Sequence, residues 1–460
     1  FCEHLRHETA TLSNWFASGE LAEEAPVAGF EVEGWLVDRD LHPAPINEAF
    51  LERLNDPLAC PELAKFNIEL NTTPYPLRGD VLGRLHRELE HTWRKAAGVA
   101  RELDAELVLT GILPTVGERD LRLANMSSLK RYRALNEQVL ETRGGRPLQL
   151  NIVGRQSLRS EHGNVMLESA ATSFQIHLQT PARRAHHAYN AAIIASAPMV
   201  AASANSPYLF GVDLWDETRI PLFEQAVESG GFGDVAGGPL RRVSFGSGYA
   251  QETILECFQE NLRHFPPLLP MQFEDAGELP HLRLHNGTIW RWNRPLIGFD
   301  RQRRPHVRIE HRVVPAGPSI ADAIANAALF YGLSECLTRE LERDEPFIPF
   351  QQAKDNFYQA ARHGLKAVVS WRGGERVALR SLLLDELIPR SREGLAALGL
   401  DRGESETYLD IVTARVESGQ NGCQWQRRFV ERNGADMPAL TSAYLRHQET
   451  DRPVHEWSED

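Results

Sequence analysis

The stretch Phe30-Glu31-Val32-Glu33-Gly34-Trp35 alternates apolar residues with acids, the period-two signature of a β-strand. Glu31 and Glu33 therefore share one face, and Phe30 and Val32 the other. Two carboxylates side by side repel each other, and the pair calls for a cation or a solvated surface. The pattern returns downstream. In Phe66-Asn67-Ile68-Glu69-Leu70-Asn71, Asn67, Glu69 and Asn71 share a face. In Ser173-Phe174-Gln175-Ile176-His177-Leu178-Gln179, the polar residues oppose Phe174, Ile176 and Leu178. In His306-Val307-Arg308-Ile309-Glu310-His311-Arg312, Arg308, Glu310 and Arg312 line up. If these strands join one sheet, one side is a core surface and the other a field of Glu, Gln, His and Arg. For any one strand a solvated face is the ordinary explanation. Such faces are usually rich in Thr, Lys and Ser, however. Here oxygen and imidazole ligands recur beside arginines, which suits Mg²⁺ and phosphate.

With 460 residues, 42% hydrophobic and 25% charged, the chain has the composition of an ordered soluble protein. A net charge of −13 argues against nucleic acid as a partner. An anionic substrate such as ATP would then need local arginines and metal ions. Cys2, Cys60, Cys257, Cys336 and Cys423 are scattered, with no C-x-x-C pair. That points to reduced thiols and a cytoplasmic location. No signal peptide or membrane-length apolar run stands out. The apolar stretch around 191–204, interrupted by Ser196, Pro198 and Ser203, reads as a buried helix.

In chain order, residues 1–25 read as an acidic helix, followed by a strand over 30–37 and a second run over 41–46. Asp80 opens a long helix to about Leu103, with Leu82, Leu85, Leu89 and Val99 as its apolar positions. Strands follow over 106–111 and 148–153, with the basic cluster Lys130, Arg131 and Arg133 between them. Thr180-Pro181 reads as the N-cap and first residue of a helix to about Ala202. Residues 204–219 are loop-like. The glycine-rich segment 230–248 superficially fits a dinucleotide fingerprint over 231–236, but no strand precedes it, so it reads as a loop or lid. No G-x-x-x-x-G-K-[ST] exists, which excludes a P-loop. Residues 281–286, 288–292 and 305–313 read as a meander of strands. Ser319 with Asp322 caps a helix to about Leu341, and the rest is helical. The chain reads as one catalytic domain over 1–460, with a sheet-containing core over 28–330 and a helical part over 331–460.

Mg²⁺ takes roughly six oxygen ligands and suits sites where substrate phosphates supply some of them. Glu31, Glu33, Glu62, Glu69, Gln175 and Glu310 could hold two or more such ions, and His177 could add a ligand or a hydrogen bond. Arg312, on the face of Glu310, could stabilise charge on a transferring phosphoryl group. Simpler roles stand beside these: Glu62 as an ordinary helix acid, His177 as a hydrogen-bonded half-buried imidazole, Arg312 as the salt-bridge partner of Glu310.

The ordered motifs resemble the glutamate–cysteine ligase family of the second type, which includes plant-type enzymes and related carboxylate–amine ligases. The carriers of the resemblance are Phe30–Trp35, Glu62 with Glu69 in Phe66–Asn71, Thr172–Gln179, Asn205–Arg219, Asn-Gly-Thr-Ile-Trp-Arg-Trp-Asn-Arg-Pro at 286–295, and Arg308–Pro318. The resemblance implies an α+β, glutamine-synthetase-like catalytic fold, with a curved, mainly antiparallel sheet forming a funnel and helices outside. It implies ATP as cosubstrate with two or more Mg²⁺ ions, Mn²⁺ being an alternative. Glutamate's side-chain carboxylate would become an acyl phosphate, and cysteine's amine would displace phosphate, the first step of glutathione biosynthesis. By position, Glu31, Glu33, Glu62, Glu69, Gln175 and Glu310 match the family's metal ligands, and Arg312 matches the arginine beside the last of them. Many relatives carry His where Gln175 stands. His177, Arg219, Asn293, Arg294 and Arg308 fall in motifs that would hold substrate or nucleotide. Two alternatives stay open: a different amine substrate, or a metal-dependent hydrolase that does not use ATP.

Overall fold

The alternating stretches become neighbours in one antiparallel sheet of the computed structural model, which describes residues 1–229, 240–274 and 277–459. The sheet consists of β1 (Val27–Val37), β2 (Ala59–Pro61), β3 (Asn67–Asn71), β4 (Tyr75–Pro76), β5 (Glu106–Val108), β6 (Phe174–Thr180), β7 (Asn293–Phe299) and β8 (Pro305–His311). Its order is β7-β8-β6-β1-β3-β2, with β4 and β5 also paired to β1. It curls into an antiparallel half-barrel with helices packed outside, an α+β architecture.

Register fixes which side chains share the inner face. Glu31 lies opposite both Asn71 and Gln175, and Glu33 opposite Glu69. Glu310 lies opposite His177 on one side and Arg294 on the other. Because a strand repeats every two residues, Phe30, Val32, Ile68, Leu70, Phe174, Ile176 and Ile309 all turn outward and are buried. The helices Ala185–Ser203 and Ile320–Leu341 cover them. Phe30 lies 4.9 Å from Phe174 and 6.2 Å from Tyr331 between ring centroids, and His311 stacks on Phe330 at 4.1 Å. Both helices are apolar all round, as helices buried on every side must be. By length and composition Ile320–Leu341 could cross a membrane, with mean hydropathy 1.2, which the sequence reading did not single out; 94% of that window is buried inside the protein.

The helix Ile320–Leu341 starts as its cap predicts. Ser319 Oγ accepts the Asp322 N–H at 3.0 Å and donates to Asp322 Oδ2 at 2.9 Å. Asp322 is also the counter-ion of Arg415, at 2.7 Å, and accepts the Val454 N–H at 2.9 Å. A buried ion pair thus ties the helical C-terminal part to the core.

Several local expectations are corrected. Residues 281–286 are not a strand but the helix Pro280–Gly287. Leu282 and Leu284 mimic alternation, yet His281, Leu282, His285 and Asn286 are the buried set, which is helical spacing. Thr180 is the last residue of β6, paired with Val307. Pro181 is extended, a tight turn Ala182–Arg184 follows, and the α-helix begins only at Ala185. Residues 41–46 form a turn rather than a strand, with Leu41 at φ 63 and one bridge between Val37 and Pro43. The strand β7 was hidden by Pro295, and a second hairpin, Leu148–Val153 with Ser157–His162, has a polar return strand. The helical C-terminal part includes the small hairpin Val368–Ser370 with Arg376–Ala378. Most of the glycine-rich segment read as a loop or lid, residues 230–239, lies outside the described residues.

Candidate active site

The inner face of the sheet gathers two groups of ligand-type side chains. In the first, Glu33 from β1, Glu69 from β3 and Glu62, just past β2, bring carboxylate oxygens within 4.8 Å of one another. Glu62 is in no helix; the bend after Pro61 swings it over β3. Glu33 is held by Ser173 N–H at 2.6 Å, Ser173 Oγ at 3.0 Å and Gln175 Nε2 at 2.8 Å. Glu69 Oε1 accepts from Asn71 Nδ2 at 2.8 Å and from Cys60 Sγ at 3.1 Å. Burial pushes all three carboxyls up. Repulsion from Glu69 and Glu33 adds to it at Glu62, which sits well above the usual range. Burial and then Glu31 bring Glu69 to about 7.

In the second group, Glu31, His177 and Glu310 also converge within 4.8 Å. Here arginines reverse the balance. Burial raises Glu310, but Arg294, Arg312 and His177 outweigh it and hold the carboxyl well below its ordinary value. Arg294 grips it with Nε at 2.8 Å and Nη2 at 3.0 Å, and Arg312 Nη1 adds a contact at 2.8 Å. Arg308 Nε donates to His177 Nδ1 at 3.1 Å. That leaves the proton on Nε2, which faces Glu31 Oε1 at 3.0 Å. Burial raises Glu31 as well, and His177 then lowers it below its usual value.

Three expected roles change. Gln175 lies in the site, but its oxygen accepts from Arg312 and its nitrogen donates to Glu33. The reverse placement would set the NH₂ against a guanidinium and the oxygen against a carboxylate. Gln175 therefore bridges Glu33 and Arg312 in this arrangement rather than presenting an oxygen to a metal. Asn293 does not face the site. It is one position out of phase with Arg294, so it points into the outer core, donating to Ser196 Oγ at 2.8 Å and meeting His311 Nδ1 at 2.7 Å. Arg219 reaches the site but is spoken for: Nη2 donates to the Arg312 carbonyl at 2.7 Å, and Nη1 contacts Glu217 at 3.4 Å. Lys130, Arg131 and Arg133 are exposed on the helix Lys130–Thr142, and Arg131 adds favourable charge near Glu62.

Sequence reasoning missed Glu168 and Cys60. Glu168 sits on a single tight turn, Val165–Ala170, that has no periodic pattern. Burial and then Glu33 push its carboxyl up to about 7. Cys60 could have been found from its place opposite Glu69 only once β2 was known.

Two cavities open on this face. The larger, about 540 Å³, is walled by Val27, Pro74, Pro76 and Phe299 on its apolar side and by Glu31, His177, Arg304 and Arg308 on its polar side. Gly298 gives the His306 ring and Arg308 their room: a Cβ there would come 2.5 Å from His306 and 2.8 Å from Arg308. The smaller, about 20 Å³, lies between Glu33, Glu168, Ser173, Arg219, Phe223, Trp292 and Arg312.

The donor set fits a hard divalent cation. Glu33, Glu62 and Glu69 supply oxygen ligands whose mutual repulsion a cation would relieve, and among the described residues Cys60 is the one soft donor beside them. The guanidiniums of Arg294, Arg308 and Arg312 ring the second group, as anionic oxygens require.

A family profile described as glutamate–cysteine ligase family 2 (GCS2) matches residues 27–446. Among solved structures, the chain resembles a glutamate–cysteine ligase from Francisella tularensis in complex with AMP. The TM-score is 0.55 at 11% identity, over 96% of this chain and 91% of that one. It also resembles a bifunctional glutathione synthetase from Pasteurella multocida, with TM-score 0.52 at 10% identity, over 96% of this chain and 55% of that one. At such identities the likeness is one of fold. No curated protein matches the sequence.

Proposed function

The chain belongs to glutamate–cysteine ligase family 2 and is a carbon–nitrogen ligase that joins a carboxylate to an amine; on that premise we propose that it uses ATP and Mg²⁺ to join the side-chain carboxylate of glutamate to the amine of cysteine. The observation that carries this reading is the convergence of both acid groups on one sheet face, with guanidiniums bonded directly to members of the second. A hydrolase working on neutral amides has little use for three guanidiniums, whereas phosphoryl transfer does.

In this reading the 540 Å³ cavity takes the nucleotide, its apolar wall against the base and Arg304 and Arg308 toward the phosphates. Glu33, Glu62 and Glu69, with Glu31 and Glu310, hold the divalent ions, Mg²⁺ or Mn²⁺. When bound, such ions neutralise phosphate and carboxylate charge so that two anions can meet. Arg312, pinned by Glu310 and Gln175, is aimed at the oxygens of the transferred phosphoryl group. Arg294 acts through Glu310, fixing its charge and direction. Glutamate's carboxylate oxygen attacks the γ-phosphorus, ADP leaves, and γ-glutamyl phosphate forms. The neutral amine nitrogen then attacks the acyl carbon, phosphate departs with the C–O bond pair, and the nitrogen sheds one proton to leave the amide. Positioning and preorganised charge supply the acceleration. Residues 1–460 act as one catalytic unit.

The test is phosphate release from ATP with glutamate, Mg²⁺ and a panel of amines. Cysteine should stimulate release most. Folded protein that shows no amine-stimulated release would exclude the reading, and a stronger response to another amine would change the substrate.

A further inference from the structure

Glu168 belongs to neither group of converging ligand atoms, although it shares the small slot with Glu33. It is half-buried in the wall of the small slot, and its carboxylate makes no hydrogen bond or ion pair with any described residue. Its neighbours there are engaged. Arg219 is held by Glu217 and two backbone carbonyls, and Arg312 by Glu310 and Gln175. Trp292 is fixed by its Nε1 donating to Glu224 at 2.9 Å, with Phe223 against it at 5.8 Å between ring centroids. These rings give the slot an apolar wall, and a charge pair made against such a wall is stronger than one in open water.

An unpaired carboxylate in such a place calls for a cation. Size and geometry select its kind. The slot, at about 20 Å³, holds one water-sized group. An ammonium nitrogen is of that size and has three N–H donors. Glu168, Glu33 and the Ser173 hydroxyl present acceptors around the slot. The slot's three acceptors match the three donors of an ammonium and fall short of the roughly six oxygens that Mg²⁺ takes.

We propose that this slot seats the primary ammonium group of an amino-acid substrate, with Glu168 as its counter-ion. The inference rests on the ligase reading and assigns the slot within it. The ammonium has two possible sources, the α-ammonium of glutamate or the amine substrate before it gives up its proton. Each has a counterpart without an ammonium: glutarate lacks the α-ammonium, and hydroxylamine is neutral at pH 7.

The experiment compares wild type with E168Q. The KM for glutamate is measured against that for glutarate, and the KM for cysteine against that for hydroxylamine. Losing the counter-ion should raise one of these ratios by about ten- to hundredfold. A rise in the glutamate ratio assigns the slot to glutamate, and a rise in the cysteine ratio assigns it to the amine. If E168Q fails to fold, E168D, one methylene shorter, carries the same comparison. Both ratios unchanged, or a defect confined to the Mg²⁺ requirement, overturns the inference and leaves the ligase reading intact. Wild-type protein that makes no product with either amine overturns both.

Discussion

Arg294 and Glu310 face each other across β7 and β8 and join through two parallel N–H···O bonds, at 2.8 and 3.0 Å. With Arg312 bonded to the same carboxylate, one buried acid balances two guanidiniums. Glu310→Gln therefore leaves two buried cations short of counter-charge. The expected cost is about 3 kcal/mol of stability and a fall in phosphate release of roughly a hundredfold or more. Denaturant unfolding and a coupled phosphate assay read the two effects. Wild-type turnover in this variant would contradict the role given to Glu310.

Glu69 should behave oppositely in stability. Its neighbours in the metal-free protein are carboxylates, and its carboxyl is raised to about 7, by burial first and then by Glu31. Glu69→Gln removes one charge from a repelling group. The metal-free variant should melt higher, by roughly 1 kcal/mol of added stability, while the concentration of Mg²⁺ needed for turnover climbs. A lower melting temperature without metal would show that the group is not under charge strain.

The same raised carboxyls set the pH dependence. A carboxyl whose folded value lies above its unfolded value contributes stability that is fully present below the unfolded value. That stability is lost as pH rises through the folded one. Glu69, near 7, and Glu62, also raised, place this loss across neutral pH. Without divalent ions the protein should lose stability between pH 5 and pH 8. With Mg²⁺ the trend should reverse, because the ion competes with those protons. Apparent Mg²⁺ affinity should weaken by up to about tenfold per unit below pH 7. Calorimetric titration at several pH values measures it.

The legible part of this molecule was its strands. Alternation in β1, β3, β6 and β8 placed Glu31, Glu33, Glu69, His177 and Glu310 on one face, because a half-buried strand must write its burial pattern into the sequence with period two. Asn293 turns to the outer core because it precedes Arg294 by one residue on the same strand, an offset that motif membership does not convey. What stayed hidden had no period to reveal it. Glu168 is on a single tight turn, and β7 carries a proline. The role of Gln175 depended on which neighbour its oxygen meets, which only the packed pair of Glu33 and Arg312 decides. The helix at 280–287 was lost because eight residues with two leucines in alternation satisfy either period.

Gly298 offers a test of the nucleotide cavity that removes no charged group. Its missing Cβ leaves space for the His306 ring and for Arg308 Nη1, which would otherwise lie 2.5 and 2.8 Å away. Alanine would have to push both aside. Arg308 carries that displacement further, because its Nε holds His177 at 3.1 Å and His177 in turn faces Glu31 at 3.0 Å. The change should therefore act on phosphate positioning, where a shift of about 1 Å can cost as much as a hundredfold. Overpacking alone should cost about 1–3 kcal/mol of stability. Gly298→Ala is expected to raise the KM for ATP by about tenfold or more, with a smaller change in the KM for whichever substrate, glutamate or the amine, seats its ammonium against Glu168. Equal changes in both constants would mean that the substitution disturbs the sheet as a whole. An unchanged KM for ATP would remove the nucleotide from this cavity.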